Sequence, residues 1–422
     1  MTRGRATLAL ATCLGLVVAA CGGSGGGSGG SSAKGDGAHG TVTLGFWDAT
    51  FKPGYEQIVS AFKKTHPGID VKLQVTPATQ YWTKLEAGVQ SGQAPDLFWM
   101  NEPNFARYQS GGALAALPGG ADTSAFPAPL LKSYQVDGKQ FGLPWTAVTV
   151  GLWFNKKVFD AAKVAYPDDT WTWADVQAAA KKLTDKSKGI YGLAAPLVNQ
   201  ETYYNTILQA GGYVVSPDKP TSGWNTPEGI AGLKFWTDLI DSGASPTLQQ
   251  MTDTAPDAMF QSGKLAMLYG GTWHAGTFAG DPATKDAADV TVLPKGQIRA
   301  TTVEGAAYVM AAKSKNQKAA WEFMQFLVSK EAQLIQAKTG IVVPARADAQ
   351  QAWVASLPQY HLQSFVDELA YAQPYPASAD TPKWQDKEPA VLGPAWSGKQ
   401  DVTAAAAAMG KVTDAALAAE HQ

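Results

Sequence analysis

The sequence predicts an α/β fold in two lobes, and three observations carry that prediction. From residue 41 to residue 100, strand patterns and amphipathic helix patterns follow one another in the order β, α, β, α, β. A second series of such patterns begins after Pro144. The folded part is about 380 residues long, which is large for one hydrophobic core and usual for two.

The first series of elements follows from the spacing of apolar residues. Tyr55, Ile58, Val59 and Phe62 lie at i, i+3, i+4 and i+7, on one face of a helix. Residues 97–100 form a short and wholly apolar run, as in a buried parallel strand. The predicted elements are a strand over 41–46, a helix around 55–62, a strand over 69–73, a helix over 81–90 and a strand over 97–100.

The second series again mixes strands with helices. Thr172 is placed to cap one helix, and Thr226 with Pro227 has the N-cap and first-residue pattern of another. The predicted strands span 148–154, 265–269 and 303–311. The predicted helices begin after Thr172, span 227–240, and run through Trp321, Met324 and Leu327. From Pro344 onward the chain is predicted to be mostly helical and to end in an alanine-rich surface helix over 403–419.

The N-terminus has the parts of a secretory signal: a basic start, an apolar segment over 6–20 and small residues before a cleavage site. We therefore predict a signal peptide over residues 1–20. Val18-Ala19-Ala20-Cys21 resembles a bacterial lipobox, which implies a lipidated Cys21 as the mature N-terminus. An ordinary signal peptide with a chance cysteine is an alternative; a transmembrane helix would need roughly 18–20 apolar residues, more than are present. The Gly/Ser-rich residues 21–40 predict a flexible tether.

Composition excludes some classes of partner and of structure. The net charge is −2, or −4 once Arg3 and Arg5 leave with the signal (32 basic minus 36 acidic), and no basic cluster follows one face, which argues against nucleic acid. Cys13 and Cys21 are the two cysteines, so the mature fold has none for a disulfide. The 14 Trp, 14 Tyr and 15 Phe favour a surface that binds a ligand with flat apolar faces and polar edges.

Six short motifs occur in order along the chain. They are Gly92-Gln93-Ala94-Pro95-Asp96 before the third strand, Gly138-Lys139-Gln140-Phe141-Gly142-Leu143-Pro144, Leu152-Trp153-Phe154-Asn155-Lys156, Thr170-Trp171, Gly263-Lys264-Leu265-Ala266-Met267 and Leu293-Pro294. None is diagnostic alone. Together, behind a lipobox and a tether, they resemble the extracellular solute-binding proteins of ABC importers, of the family-1 type that serves carbohydrate uptake.

The resemblance implies a type II, hinged fold like that of periplasmic binding proteins, with a ligand cleft between the lobes. Lobe 1 is expected over 41–145 and 304–345, lobe 2 over 146–303 and 346–422, with chain crossings near 143–148, 301–305 and 341–346. The lobes close because the ligand contacts both of them. The implied function is to bind a sugar or oligosaccharide without catalysis and to deliver it to permease subunits that a separate ATPase drives. The implied protein is a monomer without cofactor or metal, on the extracytoplasmic face of the cell membrane and attached only by a lipid anchor such as palmitate.

Candidate ligand-binding residues lie at strand ends and crossings, because open α/β sheets bind ligands beyond the carboxyl ends of their strands. A sugar has C–H patches on its ring faces and hydroxyls at its rim, which suit aromatic rings beside carboxylates and amides. The candidates are Trp47, Asp48, Asn101, Glu102, Trp145, Trp273 and Glu304, with Tyr204 and Trp224 in loops of the second lobe. At the position of Glu304 the family more often has glycine.

Each candidate tryptophan could instead be a packing residue, and Glu102 could instead be a solvated carboxylate in a loop. Trp99, Trp153, Trp236 and Trp321 lie inside apolar patterns and are assigned to the cores.

Two other functions compete with solute binding. Asn101-Glu102-Pro103 at a strand end is also the acid/base motif of many retaining glycoside hydrolases, in which a second carboxylate lies about 5–5.5 Å away. The adjacent Tyr203 and Tyr204 are typical of two-lobed proteins that hold ferric iron, although the five histidines are scattered and show no metal-binding spacing. The two-lobed pattern favours a binding protein over a glycoside hydrolase, and no further oxygen ligands are gathered in the sequence to support iron binding.

Overall fold

The computed structural model describes residues 38–216 and 221–420. The predicted signal peptide, Cys21 and the tether up to residue 37 lie outside these residues. Within the described part, no helix has the length and the apolar character that crossing a membrane requires. Apart from a 3₁₀ turn over Ala49–Phe51 and a π turn over Asn199–Tyr203, the chain is built from strands and α-helices.

The strands form two main sheets and two short ribbons. In chain order they are β1 Gly40–Phe46, β2 Ile69–Val75, β3 Leu97–Met100, β4 Gln135–Val136, β5 Lys139–Gln140, β6 Gly142–Pro144, β7 Val150–Asn155, β8 Tyr191–Leu193, β9 Leu265–Gly271, β10 Ala288–Thr291, β11 Thr302–Val303, β12 Ala307–Met310 and β13 Gln373–Pro374. The first sheet has the order β2-β1-β3-β12-β6, and the second has the order β10-β7-β9-β8.

Helices cover both sheets. They are α1 Lys52–Thr65, α2 Ala78–Ser91, α3 Glu102–Ser110, α4 Ala128–Lys132, α5 Lys156–Ala162, α6 Trp173–Leu183, α7 Tyr204–Gln209, α8 Pro227–Asp241, α9 Leu248–Asp253, α10 Pro256–Gln261, α11 His274–Gly280, α12 Gln317–Leu327, α13 Lys330–Lys338, α14 Ala347–Val354, α15 Gln363–Glu368, α16 Pro382–Gln385, α17 Glu388–Trp396 and α18 Val402–Glu420. Helices α1 and α12 pack with the first sheet and α13 packs on these two helices, whereas α17 and α18 pack on α8 beside the second sheet.

Strand direction decides which residues meet at the sheet edges. In the first sheet β1 runs parallel to β2 and β3, while β12 is antiparallel to β3 and β6. The carboxyl ends of β1, β3 and β6 therefore share one edge with the start of β12. In the second sheet β7 is antiparallel to β9, with Val150 opposite Gly271, so the end of β9 lies beside the start of β7.

The three segments predicted as crossings lie side by side. Val148 and Glu304 exchange backbone hydrogen bonds of 2.8 and 3.0 Å, and the Trp145 N–H donates to Ala306 O. On the other side, Ala345 N–H donates to Trp145 O and Ala147 N–H to Val343 O. The segment around 145–148 is thus the central strand of an irregular three-stranded ribbon between the two sheets. The exact lobe boundaries remain a prediction.

Most predicted elements are present within a few residues of their expected bounds, but one strand differs. The run over 303–311 was expected as a single strand, and the structure divides it into β11 and β12. Residues 304–306 between them bond instead to the segment around 145–148, so the second crossing interrupts the strand. Trp99, Trp153 and Trp236 are buried in cores as expected, whereas Trp321 is half-buried and covers the first core from α12.

Helix packing in the second lobe depends on a glycine in α8. A Cβ placed on Gly232 would lie 2.5 Å from the backbone nitrogen of Ile207 in α7, and the hydroxyl of Thr206 donates to Gly232 O at 2.7 Å. The two helices are therefore in backbone contact at this point, and no side chain fits between them.

We expect Gly232→Ala to lower the free energy of unfolding by roughly 1–3 kcal/mol, because α7 and α8 must separate to admit the methyl group. Urea unfolding followed by circular dichroism measures this change. Gly280→Ala is the matched control, since a Cβ on this exposed residue at the end of α11 meets nothing within 4 Å. Equal stability of the two variants would contradict the proposed backbone contact.

Candidate ligand-binding site

The carboxyl edge of the first sheet carries a group of aromatic rings. The Trp47 ring, just after β1, makes edge contacts with Trp99 at 4.6 Å and with Tyr81 at 5.3 Å between ring centroids. It also lies 5.9 Å from the Trp82 ring of α2. Trp99 and Tyr81 are buried, but Trp47 and Trp82 are half-buried and keep part of their surface free. Trp47 and Trp82 thus form an aromatic wall at this edge.

Trp82 was not among the candidates from the sequence. It lies in α2 next to Tyr81, and its ring also approaches Tyr108 of α3 at 6.1 Å. The adjacent aromatics at 81 and 82 were a signal, because two neighbours in a helix point in different directions and only one of them can face the core. The structure buries Tyr81, whose hydroxyl donates to Trp99 O, and leaves Trp82 at the surface of the wall.

Trp145 lies in the core of the crossing instead of on a ligand-facing surface. Its side chain is 2% exposed, and its ring stacks on Trp99 at 4.4 Å with an interplanar angle of 26°. Phe51 and Tyr308 close two further sides of the ring. Its Nε1 has no hydrogen-bond partner among the described residues. The prediction of a ligand contact is wrong for this conformation, and Trp145 instead supports the aromatic wall from behind.

Asp48 and Asn101 have local roles at the same edge. Asp48 Oδ1 accepts hydrogen bonds from the N–H and the hydroxyl of Thr50, which caps the 3₁₀ turn after β1. Asn101 is the N-cap residue of α3, and its Oδ1 accepts from Asn104 Nδ2 at 2.8 Å. Both residues are half-buried, so polar atoms remain available at the edge. Their contact with a ligand stays a prediction.

Glu102 is a buried acid at the end of β3. It is 7% exposed, and its Oε1 accepts from the backbone N–H of Gly305 at 3.2 Å. Burial and the nearby Glu304 raise its pKa to about 8, although hydrogen bonds from Gly305 and Ser133 act in the opposite direction. The alternative of a solvated loop carboxylate is therefore wrong.

Glu304 lies in the second crossing, directly before Gly305. Its backbone is held by Val148, and its side chain is half-buried. Burial raises the pKa of its carboxyl to about 7. Since Glu102 bonds to the nitrogen that follows Glu304 in the chain, the structure brings together two acids that are about 200 residues apart in sequence. Trp47, Asn101, Glu102 and Glu304 thus line one edge.

Trp273 follows the end of β9, as predicted, and its position depends on Gly271. The Trp273 ring covers the Cα of Gly271 so closely that a Cβ there would lie 2.0 Å from ring atom Cζ3. The ring is half-buried and packs against apolar residues of the first core, although β9 belongs to the second sheet. Trp273 therefore connects the two parts of the fold at the edge where the strands end.

His274, the next residue, is buried between two acids. Its Nε2 lies 3.4 Å from Glu201 Oε1, and its Nδ1 lies 3.6 Å from Asp257 Oδ2. Burial lowers the pKa of His274, but the two carboxylates outweigh it and the net shift is upward. This group fixes the start of α11 and with it the backbone of Trp273. Among the described residues no cluster of three or more potential ligands is arranged to hold a metal ion.

Tyr204 and Trp224 are in the core of the second lobe, which corrects their expected place in the site. Both are 0% exposed. Tyr204 OH donates to Glu388 Oε1 at 2.5 Å, and Trp224 Nε1 donates to Thr413 Oγ1 at 3.0 Å. Tyr203 OH also donates to Glu388, at 2.7 Å. The adjacent tyrosines therefore hold a buried carboxylate, and their hydroxyls are used within the protein.

A charged cavity opens between the two parts of the fold next to α3. Its volume is about 470 Å³, and it is lined by Arg107 of α3 and, from the segment around α16, by Asp380, Pro382, Lys383, Asp386 and Lys387. Nothing in the sequence pattern placed these residues together. A second cavity, of about 410 Å³, lies at the opposite end of β3 around Asp96, away from the strand ends described above.

Comparison with known proteins identifies the family of the chain. Residues 48–334 match the family described as bacterial extracellular solute-binding protein. A maltooligosaccharide ABC transporter solute-binding lipoprotein of Streptococcus pneumoniae is 26% identical over 414 residues, which cover 95% of this chain and 94% of that protein. A galactooligosaccharide-binding protein of Bacillus subtilis is 26% identical over 335 residues, which cover 76% of each.

A solved structure shows the same architecture. An ABC substrate-binding protein from Listeria monocytogenes, in complex with cycloalternan, superposes with a TM-score of 0.83 at 27% identity, covering 90% of this chain and 99% of that chain. The two sheets, the crossings between them and the strand ends that meet there are thus those of a two-lobed binding protein. The chain belongs to the bacterial extracellular solute-binding proteins.

Proposed function

We propose that the protein is the binding component of an ABC importer and that it binds a sugar or oligosaccharide at the edge where the strands of both sheets end. One observation carries the proposal. The half-buried rings of Trp47 and Trp82 lie at the edge of the first sheet that also carries Glu102 and Glu304, and the half-buried ring of Trp273, after β9, packs against the same core. Indole faces beside oxygen groups are complementary to a sugar ring and its hydroxyls. The names of the similar proteins from S. pneumoniae and B. subtilis support the same ligand class.

Delivery and attachment form the second part of the proposal. The ligand passes to permease subunits driven by a separate ATPase, and the protein acts as a monomer on the extracytoplasmic face of the membrane. Lipidation of Cys21, with acyl chains such as palmitate, holds it there through the tether. The S. pneumoniae relative is named a lipoprotein, which supports this anchor.

The alternative of a glycoside hydrolase that uses Glu102 finds no support. The matched family and the similar proteins are solute-binding proteins, which bind a ligand and release it unchanged. In this setting a buried acid with a raised pKa is a hydrogen-bonding group for the ligand.

The ligand class is tested by a thermal-shift screen over maltotriose, raffinose, galactobiose and their monosaccharides. We expect at least one oligosaccharide to raise the melting temperature, because a ligand at 100 times its Kd adds about 2.7 kcal/mol to stability. An amino acid and a short peptide serve as controls of another class. A shift with these controls and with none of the sugars would overturn the proposed ligand class.

The aromatic wall and Trp273 are tested with the sugar found in that screen. We expect Trp47→Ala and Trp273→Ala each to weaken binding at least tenfold, about 1.4 kcal/mol, because each removes a face for stacking. Gly271→Ala should weaken binding in the same direction by displacing the Trp273 ring. Titration calorimetry measures the affinities. Trp321→Ala is the matched control, since it removes a half-buried indole from α12. An unchanged Kd in either tryptophan variant would remove that residue from the site.

Anchoring is tested with Cys21→Ala in the native host. We expect the variant to leave the membrane fraction and to incorporate no labelled palmitate, because the thiol is the acceptor of the lipid. Cys13→Ala keeps the thiol at position 21 and should behave like the natural sequence. Retention of Cys21→Ala in washed membranes would contradict a lipid anchor at this residue.

A further inference from the structure

Glu102 and Glu304 form a pair of acids, called here the 102/304 pair, at the edge where the strands end. Glu102 Oε1 lies 3.2 Å from the nitrogen of Gly305, which is bonded directly to the carbonyl carbon of Glu304. The two residues are fixed independently of each other, Glu102 in the first turn of α3 and Glu304 through its backbone bonds to Val148. They therefore remain neighbours without any direct bond between their side chains.

The groups around the pair are polar or acidic. Tyr134 lies beside it, and its hydroxyl is 2.6 Å from Gly305 O and 3.1 Å from Met100 O, so its proton is directed to backbone carbonyls. Ser133 donates to Glu102. Tyr375, with Glu388 beyond it, lies next to Glu304, since Tyr375 N–H bonds to Val303 O. Among the described residues, no lysine, arginine or histidine contributes to the pKa shift of either acid.

Ionising two neighbouring carboxyl groups in a buried site costs free energy when no cation lies beside them. Each loses hydration, and each repels the other. A proton supplies the compensation that a cation would supply elsewhere. This agrees with the raised pKa values, about 8 for Glu102 and about 7 for Glu304.

The two carboxyls differ in what they can offer a ligand. Glu102 is held by donors, the Gly305 N–H and the Ser133 hydroxyl, and is nearly closed off from solvent. Glu304 keeps part of its surface exposed, and among residues 38–216 and 221–420 no donor or acceptor bonds to its side chain. The free hydrogen-bonding capacity of the pair therefore lies on Glu304.

We propose that the 102/304 pair holds a proton at neutral pH and that Glu304 presents it as a hydrogen-bond donor to an uncharged sugar, so that anionic sugars are rejected. A protonated carboxyl both donates and accepts, as a sugar hydroxyl does, and so the two groups are complementary. A uronic acid would place a third carboxylate beside the pair, where no cation compensates it. This inference rests on the proposed sugar site and names its ligand as neutral.

The proposal predicts how affinity depends on pH. Glu304 has a pKa of about 7 and Glu102 one of about 8, so at pH 9 at most about one-tenth of either carboxyl is protonated, and binding that needs the proton should weaken at least tenfold between pH 6.5 and pH 9. The stability of the ligand-free protein should also decrease as pH rises. Between the ordinary pKa of 4.5 and the raised values, the folded state holds more protons than the unfolded state, so the contribution of the pair to stability falls as pH rises.

The first test is calorimetry at pH 6.5 and pH 9 with the best oligosaccharide among maltotriose, raffinose and galactobiose, and with glucuronic acid as the anionic probe. We expect an at least tenfold loss of affinity for the neutral sugar at pH 9 in the natural protein and no binding of glucuronic acid. Glu304→Gln should bring the ratio of the two affinities close to one, whatever its absolute affinity, because an amide does not titrate. Glu331→Gln, an exposed acid in α13, is the charge-matched control and should keep the ratio of the natural protein.

The second test needs no ligand. Difference infrared spectroscopy of the free protein should show protonated-carboxyl absorbance that titrates near pH 7–8 and that falls in the Glu102→Gln, Glu304→Gln double variant. Glu368 and Glu388 also have raised pKa values and remain as an internal reference in that variant. Circular dichroism confirms that the variants are folded; if the double variant does not fold, Glu304→Gln alone should still lower that band.

The outcomes separate the two proposals. A sugar that binds equally well at both pH values, or a carboxyl band unchanged in the variants, would overturn the proposed proton on the pair and leave the sugar site intact. No sugar binding at any pH would overturn the proposed function, while the infrared measurement would still decide whether the pair holds a proton.

Discussion

The backbone ladder between the three crossing segments is the interaction on which the rest of the structure depends. Val148 is bonded in both directions to Glu304, and Trp145 is bonded to Ala306 on one side and to Ala345 on the other. These bonds set the carboxyl ends of the first sheet against the starting end of β7 and the end of β9. Because a hinge must bend without losing register, the aromatic stack of Trp145 on Trp99 behind the ladder gives it a rigid support on one side.

The same residue type has different roles at neighbouring positions. Trp99 and Trp145 stack face to face inside the first core, whereas Trp47 and Trp82 lie at its margin with part of their rings free. What separates the two sets is the direction in which each Cβ points from its strand or helix. The direction of the Trp273 ring is set by Gly271, since any side chain at position 271 would occupy the place of that ring. Gly271 at the end of β9 thus sets the position of a ring of the proposed ligand site.

Buried acids in this protein are stabilised in different ways. Glu388 accepts hydrogen bonds from Tyr203, Tyr204 and Asn199, so three donors replace its hydration. The 102/304 pair has fewer donors and two charges to accommodate, which favours protonation. The first arrangement holds α17 against α7, and its carboxylate is closed off from solvent. The second keeps hydrogen-bonding capacity at the strand ends, where a ligand is expected.

Local sequence determined the elements and the family. Apolar spacing located the helix α8 and the strands β1 and β3 nearly to the residue and the helix α1 to within three residues at each end, since the periods of 3.6 and 2 are properties of the backbone itself. The predicted strand ends also indicated the positions of Trp47, Glu102 and Trp273.

The tertiary structure alone decided which side chains are closed off from solvent. Trp145, Tyr204 and Trp224 are aromatic like Trp82, yet they are buried and Trp82 is not. It also alone decided that Glu102 lies against Gly305 beside Glu304, because contacts between residues about 200 positions apart depend on how sheets and crossings pack, which no local pattern encodes.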